Sequence, residues 1–242
     1  MYPIIFEFNN LKFYTFGVFI ALAFISAFLY TSYFLKKSKE KSISQNSLEF
    51  LFICIVIISI IGSKLFYIII NFKFFSLKTY NISNLLNSGL IYYGGVISSI
   101  IFLLIYTRKN KTEILSIGDL FTPSLALGYS IGRIGCFFAG CCYGIPSKLP
   151  WAIYSTYTRT YVHPTQLYES IISFIVFIFL HINRNNKHKK GFITGIYLLF
   201  YSISRFSIDF FRSNDTYILT LSQSQIISIF FFILGSYILC KN

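Results

Sequence analysis

Three cations interrupt the apolar segments of this sequence, and cations in such places usually have an anionic partner. Arg133 lies within the run GRIGCFFAGCCYG, which spans residues 132–144. Lys64 and Arg205 lie in two other apolar runs. A charge near the centre of a bilayer costs about 2.5–3.5 kcal/mol on insertion scales, so such a side chain normally faces a cavity or a partner. The planar fork of arginine matches phosphate geometry, and the three cations together therefore predict a phosphate-binding pocket.

Structural roles for these cations compete with phosphate binding. Each side chain could instead extend to the membrane interface or neutralise a structural carboxylate. Arg205 and Asp209 are four residues apart, so on one helix they share a face and are expected to pair. Glycines add to the argument, because they allow close helix packing or bring backbone amides to a ligand. Those around Arg133 and in the segment YYGG are Gly132, Gly135, Gly140, Gly144, Gly94 and Gly95.

The composition predicts an integral membrane protein, because 55% of the residues are hydrophobic and only 12% are charged. Soluble domains have about 45–50% apolar and about 25% charged residues. The long apolar runs lack the two-residue alternation of a membrane barrel, so we predict the all-α class. Seven runs come close to the ~20 residues that span the hydrocarbon core. They cover residues 13–35, 48–71, 89–106, 117–138, 168–182, 191–211 and 222–240.

The net charge of +13 follows a membrane topology, and this placement argues against a nucleic-acid partner. Twelve basic residues fall on one predicted side of the membrane, namely Lys36, Lys37, Lys39, Lys41, Arg108, Lys109, Lys111, Arg184, Lys187, Lys189, Lys190 and Lys241. Six fall on the other side, namely Lys12, Lys73, Lys78, Lys148, Arg159 and Arg212. Cytoplasmic loops carry the excess of lysine and arginine. The N-terminus is therefore predicted outside and the C-terminus in the cytoplasm, which puts Lys64, Arg133 and Arg205 in the outer half of the membrane.

The sequence shows no internal domain boundary. It has no repeat and no low-complexity linker, so residues 1–242 are predicted to form a single transmembrane domain. The N-terminal MYPIIFEFNNLKFY has no basic leader and no small-residue cleavage site, so it is expected to remain in the mature protein. The longest loop, residues 139–167, is predicted to face outward, and its length makes it a candidate functional loop.

Several short motifs occur in a fixed order along the chain. GRIG at 132–135 is followed by GCCYG at 140–144, and then by HPTQLYES at 163–170 and YSISRFSIDFFR at 201–212. Upstream motifs are FYTFG at 13–17, GSKLFY at 62–67 and YYGGV at 92–96. In type and order these segments resemble the signature segments of the prolipoprotein diacylglyceryl transferases, over nearly the whole chain.

This resemblance implies a fold, a reaction and a place in the cell. The implied fold has seven spans with the N-terminus outside, embedded in the bacterial cytoplasmic (inner) membrane as a multi-pass protein. The implied enzyme takes the diacylglyceryl group of phosphatidylglycerol and attaches it to the lipobox cysteine thiol of a preprolipoprotein, whose signal peptide is the second partner. This is the first step of lipoprotein maturation. The resemblance implies no cofactor and no metal.

The resemblance also implies roles for individual residues. The implied catalytic set is Arg133, Arg205, Tyr93 and Tyr14. The implied substrate-binding set is Arg133, Lys64, Gly94, Gly95, Gly144, Tyr201, Asp209, His163, Gln166 and Glu169. The two arginines would hold the phosphate, while His163, Gln166 and Glu169 would shape the outer mouth of the site. The general base is left open between His163 and Tyr93, whose reference pKa near 10 would have to be lowered by nearby arginines.

The sequence departs from the family pattern at several site positions. Tyr93 stands in place of a common histidine, Lys64 in place of arginine, and Asp209 in place of glutamate. Within the signature, Cys136 replaces asparagine and Cys141 replaces glutamate. Two alternatives therefore stay open. The protein could be a lipid-binding membrane protein without catalysis or with another specificity, or a lipid transferase with another acceptor. A secondary transporter would also use buried cations, but it should show repeated halves with broken helices, and the sequence shows none.

The cysteines in the signature allow several interpretations. Cys136, Cys141 and Cys142 lie near the predicted outer face, where disulfides can persist, and the spacing permits a Cys136–Cys141 bridge without proving it. Zinc on three cysteines and His163 is a further option, as is a thiol relay. Plain packing of small side chains is the preferred interpretation, as it is for Cys54 and Cys240 in their apolar runs.

Overall fold

The computed structural model describes residues 4–8, 11–37, 43–71, 91–184, 186, 188–213, 217–218 and 221–241. Most of this part of the chain is helical, in α1 (Thr15–Lys37), α2 (Gln45–Ile70), α3 (Tyr92–Lys109), α4 (Ile114–Ala139), α5 (Thr165–Asn183), α6 (Phe192–Asp209) and α7 (Gln223–Lys241). A described helix occupies most of each predicted span. By length and composition, five of the described helices can cross a membrane: α1, α2, α4, α5 and α7. The prediction of a helical membrane protein is confirmed.

Three short antiparallel hairpins accompany the helices, and the sequence did not predict them. β1 (Ile4–Phe8) pairs with β2 (Leu11–Tyr14), β3 (Ile153–Ser155) with β4 (Thr160–Val162), and β5 (Tyr217–Ile218) with β6 (Leu221–Ser222). Each strand is too short for periodicity to reveal it. The turn between β3 and β4 closes where Arg159, at a φ of 54°, donates its backbone N–H to the carbonyl of Ser155 at 2.9 Å.

Contacts divide the chain into two compact units, Met1–Phe34 with Gly118–Asn242, and Leu35–Ile117. In the unit Leu35–Ile117, helices α2 and α3 pack closely because glycines remove side chains from their contact. A Cβ atom on Gly94 would lie 2.5 Å from the carbonyl oxygen of Gly62. One on Gly95 would lie 2.6 Å from the hydroxyl of Ser63. The glycine pair of YYGG thus has a packing role, and its contact with a substrate stays a prediction.

In the other unit, α6 and α7 also approach through glycine, since a Cβ on Gly235 would lie 3.0 Å from the carbonyl of Gly195. Hydroxyl groups bridge further helix pairs. Thr31 of α1 donates to Ser124 of α4 at 2.8 Å, and Ser130 of α4 donates to the carbonyl of Ser170 in α5 at 2.9 Å. Such interhelical hydrogen bonds help to hold membrane helices together, because the hydrophobic effect does not drive helices together within lipid.

The first turn of α6 is capped by a side chain from another helix. Gly191 at its N-cap has a φ of 95° and no side chain to offer. Asp119 of α4 instead accepts the backbone N–H groups of Gly191 at 2.6 Å and of Thr194 at 2.8 Å, together with the hydroxyl of Thr194 at 2.7 Å. A carboxylate at a helix N-terminus satisfies free amides and interacts favourably with the helix dipole.

The first turn of α7 is capped locally. The backbone N–H of Gln225 donates to the hydroxyl of Ser222 at 3.1 Å, and the backbone N–H of Ser222 donates to Gln225 Oε1 at 2.9 Å. This reciprocal pair is a capping box. Asp209 at the end of α6 accepts the hydroxyls of Ser222 and Ser224, and so joins α6 to the start of α7.

Part of the topology prediction falls outside the described residues. The basic residues outside the described part are Lys39, Lys41, Lys73, Lys78 and Lys187. The start of the predicted span 89–106 also lies outside it.

Candidate active site

A buried carboxylate, Glu169 in the second turn of α5, gathers three arginines from two other elements of the same unit. Its Oε2 accepts Arg133 Nη2 at 2.5 Å and the hydroxyl of Tyr129, both from α4. Its Oε1 accepts Arg205 Nη1 of α6 at 2.5 Å and Arg212 Nη1, just beyond α6, at 3.4 Å. The side chain of Glu169 is only 3% exposed. Each carboxylate oxygen therefore accepts from two donors, of which at least one is an arginine.

The directions of the helices explain why these charges can meet. Arg133 lies six residues before the end of α4 and Arg205 four residues before the end of α6, while Glu169 lies four residues after the start of α5. The ion pairs with Glu169 show that these three positions lie at the same end of the helix bundle.

Tyr129 fixes the orientation of Arg133. Its hydroxyl accepts Arg133 Nε at 3.0 Å and Nη2 at 2.8 Å and donates to Glu169. The guanidinium carbon lies 5.0 Å from the centre of the Tyr129 ring, which adds a cation–π contact. Tyr201 of α6 packs edge-on against the same ring at 5.8 Å. Tyr129 and Glu169 together hold the guanidinium of Arg133.

The charges of this cluster do not cancel. Arg205 Nη2 lies 3.9 Å from Asp209 Oδ1, which confirms the predicted pair. The cluster thus holds three arginines, each with a side chain 13–14% exposed, and the two carboxylates of Glu169 and Asp209, which leaves one positive charge in excess. Within the described residues, the buried Arg212 Nε also has no hydrogen-bond partner. An anion next to the cluster would balance the charge.

A small cavity lies directly against the cluster, between α4, α5 and α6. It is lined by Tyr129, Glu169, Ser173, Tyr201, Ser204 and Arg205. Its wall therefore combines a cation, hydroxyl groups and aromatic rings. Its volume of about 10 Å³ is close to that of a single water molecule, so a lipid headgroup would enter only if the lining side chains moved.

The loop after α4 is fastened to the start of α5. Gln166 Nε2 donates to the carbonyl of Cys141 at 2.5 Å, and the hydroxyl of Thr165 donates to the carbonyl of Cys142 at 2.8 Å. Both side chains belong to the first turn of α5, three and four residues before Glu169. Gln166, predicted to bind substrate, thus holds the loop in place, while its Oε1 is buried without a partner among the described residues.

Gly144 and His163 stand side by side at the end of this loop. The backbone N–H of Gly144 donates to the carbonyl of His163 at 2.9 Å. A Cβ atom on Gly144 would overlap the carbonyl oxygen of Phe211 and lie 2.7 Å from the Cβ of His163. His163 Nδ1 lies 3.3 Å from the hydroxyl of Tyr168. Glycine is thus required where three backbone segments meet beside Arg212.

A comparison with protein families matches residues 3–241 to the family described as prolipoprotein diacylglyceryl transferase. The chain belongs to this family. It is 34% identical over 244 residues to the phosphatidylglycerol–prolipoprotein diacylglyceryl transferase of Clostridium tetani, covering 98% of this chain and 96% of the relative. A protein of the same name from Finegoldia magna is 34% identical over 221 residues, 91% of this chain and 87% of the relative. These matches confirm the resemblance read from the motifs and make the protein a membrane transferase.

The structure places the predicted site residues of this family in two groups. One group surrounds the arginine cluster or supports it: Arg133, Arg205, Glu169, Asp209, Tyr201, Gln166, Gly144 and His163. Tyr14 belongs to the same unit and is exposed at the end of β2. The other group, Lys64, Tyr93, Gly94 and Gly95, belongs to the unit Leu35–Ile117 and lies on α2 and α3.

Two members of the cluster were missed by the sequence reasoning. Tyr129 precedes Arg133 by four residues, so helical spacing already placed both on one face. Arg212 follows Arg205 by seven residues, two helical turns, but it was counted as a loop charge of the outer side. Glu169 was expected at the mouth, whereas it is the buried acceptor of all three arginines.

The structure has five free cysteines. Cys136 accepts a long contact from Arg133 Nη1 at 4.0 Å, and the Cys141 thiol points to the carbonyl of Cys136 at 3.6 Å. Among the described residues, no group of three histidine, cysteine or acidic side chains has the geometry of a metal site.

The tight contact of Gly144 leads to a prediction. Gly144→Ala is expected to lower the free energy of unfolding by about 1–3 kcal/mol, the usual cost of overpacking, and to reduce activity because the loop beside Arg212 must shift. Gly17→Ala is the matched control, since a Cβ there meets nothing within 4 Å. Thermal unfolding of both variants in detergent measures the difference. Equal melting temperatures would show that the close approach is not constraining.

Proposed function

We propose that this protein transfers the diacylglyceryl group of phosphatidylglycerol to the lipobox cysteine thiol of a preprolipoprotein, as the first step of lipoprotein maturation in a bacterial cytoplasmic membrane. The observation that carries the proposal is the cluster of three arginines around Glu169, with one positive charge in excess and a cavity beside it. A phosphodiester is the anion of a phospholipid. The names of the relatives supply the two substrates, phosphatidylglycerol and a prolipoprotein.

In the proposed reaction, negative charge develops on the phosphate of the lipid, which the arginines are proposed to hold. The acceptor sulfur forms a bond to the terminal glyceryl carbon, and the bond between this carbon and the phosphate oxygen breaks. Glycerol phosphate leaves, and its phosphate changes from one negative charge to two. Arg133 and Arg205 are proposed to stabilise this additional charge, since groups aimed at developing charge are often the largest contribution to catalysis. Arginine forks can bind two phosphate oxygens at once.

Glu169 is proposed to position the arginines and not to act as the general base. Each of its oxygens already accepts from two groups, so a proton has no free lone pair of good geometry. Tyr129 is likewise proposed to position Arg133 and not to act as the general base. The thiol of the acceptor, with an unperturbed pKa near 8.5, still needs a base, and His163 and Tyr93 stay the candidates.

The remaining predicted residues are proposed to surround the two substrates. Tyr201 lines the cavity and would contact the glyceryl part of the lipid. Gly144 and Gln166 shape the loop at the mouth, where the acceptor peptide would enter. Tyr14 is proposed to contact the same peptide. Lys64, Gly94 and Gly95, on α2 and α3, stay predicted substrate-binding residues.

A transfer assay in cells tests the proposal. A strain depleted of its own transferase is complemented with this gene, and the mass of a reporter lipoprotein is measured. We expect the mass to rise by one diacylglyceryl group in the presence of the wild-type protein. The alternative is a binding protein without catalysis, which is favoured by the replacement of the signature asparagine and glutamate by Cys136 and Cys141. Such a protein leaves the reporter mass unchanged.

We further propose that all seven helices cross the membrane, with the N-terminus outside. The support is the distribution of basic residues, twelve on one side against six on the other. In this topology the loop 139–167 and the arginine cluster lie toward the outer face, where prolipoproteins present their lipobox.

Cysteine labelling checks the topology. In a background with all five cysteines replaced by serine, Thr156→Cys on the β3–β4 hairpin should react with an impermeant maleimide on intact cells. Asn186→Cys, between α5 and α6, should react only after the membrane is opened. Both positions are exposed. Labelling of both on intact cells would contradict the proposed orientation.

A further inference from the structure

The end of α4 has a geometry that brings two cysteine side chains together. Gly140 has a φ of 76°, and its N–H donates to the carbonyl of Phe137 at 3.2 Å. The N–H of Cys141 donates to the carbonyl of Cys136 at 3.2 Å. These two bonds, with a left-handed glycine between them, are a Schellman motif. A side-chain contact between the two positions that Cys136 and Cys141 occupy frequently accompanies this motif.

The pair is suited to a disulfide. The 3.2 Å backbone hydrogen bond holds the two residues at a spacing compatible with the Cα separation of about 4.4–6.8 Å that a disulfide requires. The Cys141 thiol already points toward Cys136, with its sulfur 3.6 Å from that residue's carbonyl oxygen. Cys141 is exposed, so a soluble oxidant can reach it.

Cys142 also lies within side-chain hydrogen-bond reach of Cys136 and Cys141. Its backbone has a φ of 59°, and its carbonyl accepts the hydroxyl of Thr165 at 2.8 Å. The backbone hydrogen bond of the helix cap joins Cys141 to Cys136, so the geometry favours this pair.

We propose that Cys136 and Cys141 form a reversible disulfide across the C-terminal cap of α4, and that this disulfide slows transfer by changing the surroundings of Arg133. Arg133 Nη1 contacts the sulfur of Cys136 at 4.0 Å, and a bonded sulfur is drawn toward Cys141. The bridge also tightens the loop whose carbonyls hold Thr165 and Gln166, one turn before Glu169. The effect on transfer rests on the proposed function, whereas the disulfide itself does not.

The oxidant is a low-molecular-weight disulfide. A cysteine thiolate attacks one of its sulfurs and releases the first small thiol. The second cysteine then attacks the mixed disulfide and releases the other. Two protein thiols and one small disulfide thus become one protein disulfide and two small thiols, so that protons and electrons balance. On the proposed outer face, disulfides formed in this way can persist.

Thiol counting tests the pair. The purified full-length protein is incubated with oxidised glutathione, denatured, alkylated and weighed intact. We expect the wild type to lose two of its five alkylation sites, with recovery after dithiothreitol. Cys142→Ser, Cys54→Ser and Cys240→Ser should still lose two sites, whereas Cys136→Ser and Cys141→Ser should lose none to an internal bridge. Loss of the bridge in Cys142→Ser, or five alkylated thiols in oxidised wild type, would overturn the proposal.

Transfer rates measured on the same samples test the consequence. Oxidised wild type is expected to be about tenfold slower, the size of a weakened hydrogen bond to a charged group, and dithiothreitol should restore the rate. The serine variants of Cys136 and Cys141 should be active and insensitive to oxidised glutathione. An oxidised protein with an unchanged rate would overturn the regulatory part. If the reduced wild type shows no transfer at all, the proposed function fails, while the thiol count still decides the disulfide.

Discussion

Arg133→Ala and Arg205→Ala are each expected to lower the transfer rate by about 10²–10³, the range seen when one group that stabilises developing charge is removed. Both arginines are proposed to stabilise the phosphate, and each variant also loses an ion pair with Glu169. Initial rates are measured in vesicles that contain phosphatidylglycerol and a lipobox peptide. Arg108→Ala, an exposed arginine at the end of α3, is the matched control and should leave the rate unchanged.

The lysine variants separate charge from geometry. Arg133→Lys and Arg205→Lys keep a cation but lose the planar fork, so they should recover little of the lost rate. For Arg133 the loss is compounded, because Tyr129 accepts from both its Nε and its Nη2. Wild-type rates in either alanine variant would rule out a phosphate role for that arginine, and full rescue by lysine would rule out the bidentate contact.

Glu169→Gln is expected to have the largest effect on stability. Removing the carboxylate charge leaves Arg133, Arg205 and Arg212 crowded in a largely buried site without their common anion. Breaking one side of a buried ion pair typically costs about 3–5 kcal/mol. The free energy of unfolding should fall by this order, and transfer should fall with it because the guanidinium groups lose their positions.

The control for this variant is Glu49→Gln, an exposed glutamate of α2 whose carboxylate accepts from Gln45 at 3.4 Å. It should change the free energy of unfolding by a few tenths of a kcal/mol, as surface substitutions do. Added phosphatidylglycerol gives a second readout. Since its phosphate would replace part of the missing negative charge, the lipid should stabilise Glu169→Gln more than wild type. A variant as stable as wild type without lipid would contradict the role of Glu169 as the common acceptor.

The sequence was sufficient for the helices and for two of the three arginines. Long apolar runs have one stable solution in a membrane, because backbone groups must be satisfied within the segment. Arg133 and Arg205 were recognisable because an isolated charge in such a run is costly. The Arg205–Asp209 pair followed from spacing on one helix, and the structure contains it.

The convergence on Glu169 could not be predicted from local patterns. Glu169 is 36 residues from each of Arg133 and Arg205 along the chain, and no periodicity links α5 to α4 and α6. The position of Arg212 was misleading for a related reason. It follows the end of α6, where a charge usually reaches water, yet the bridge between Gly144 and Arg212 turns this segment back onto the site. The hairpins were invisible because strands of two to five residues are set by their turns.

The cap that Asp119 places on α6 gives the order of synthesis a physical role. The acceptor lies 72 residues before Gly191, so α4 has already left the ribosome when the first amides of α6 emerge. Gly191 is buried, and a buried backbone amide without a partner costs free energy comparable to a lost hydrogen bond. α6 is also not one of the five described helices whose length and apolarity suit an independent span. α6 is therefore expected to insert into the bilayer by packing against α4, which was inserted earlier. Arg205 would be carried into the membrane by the same docking step that delivers it to Glu169.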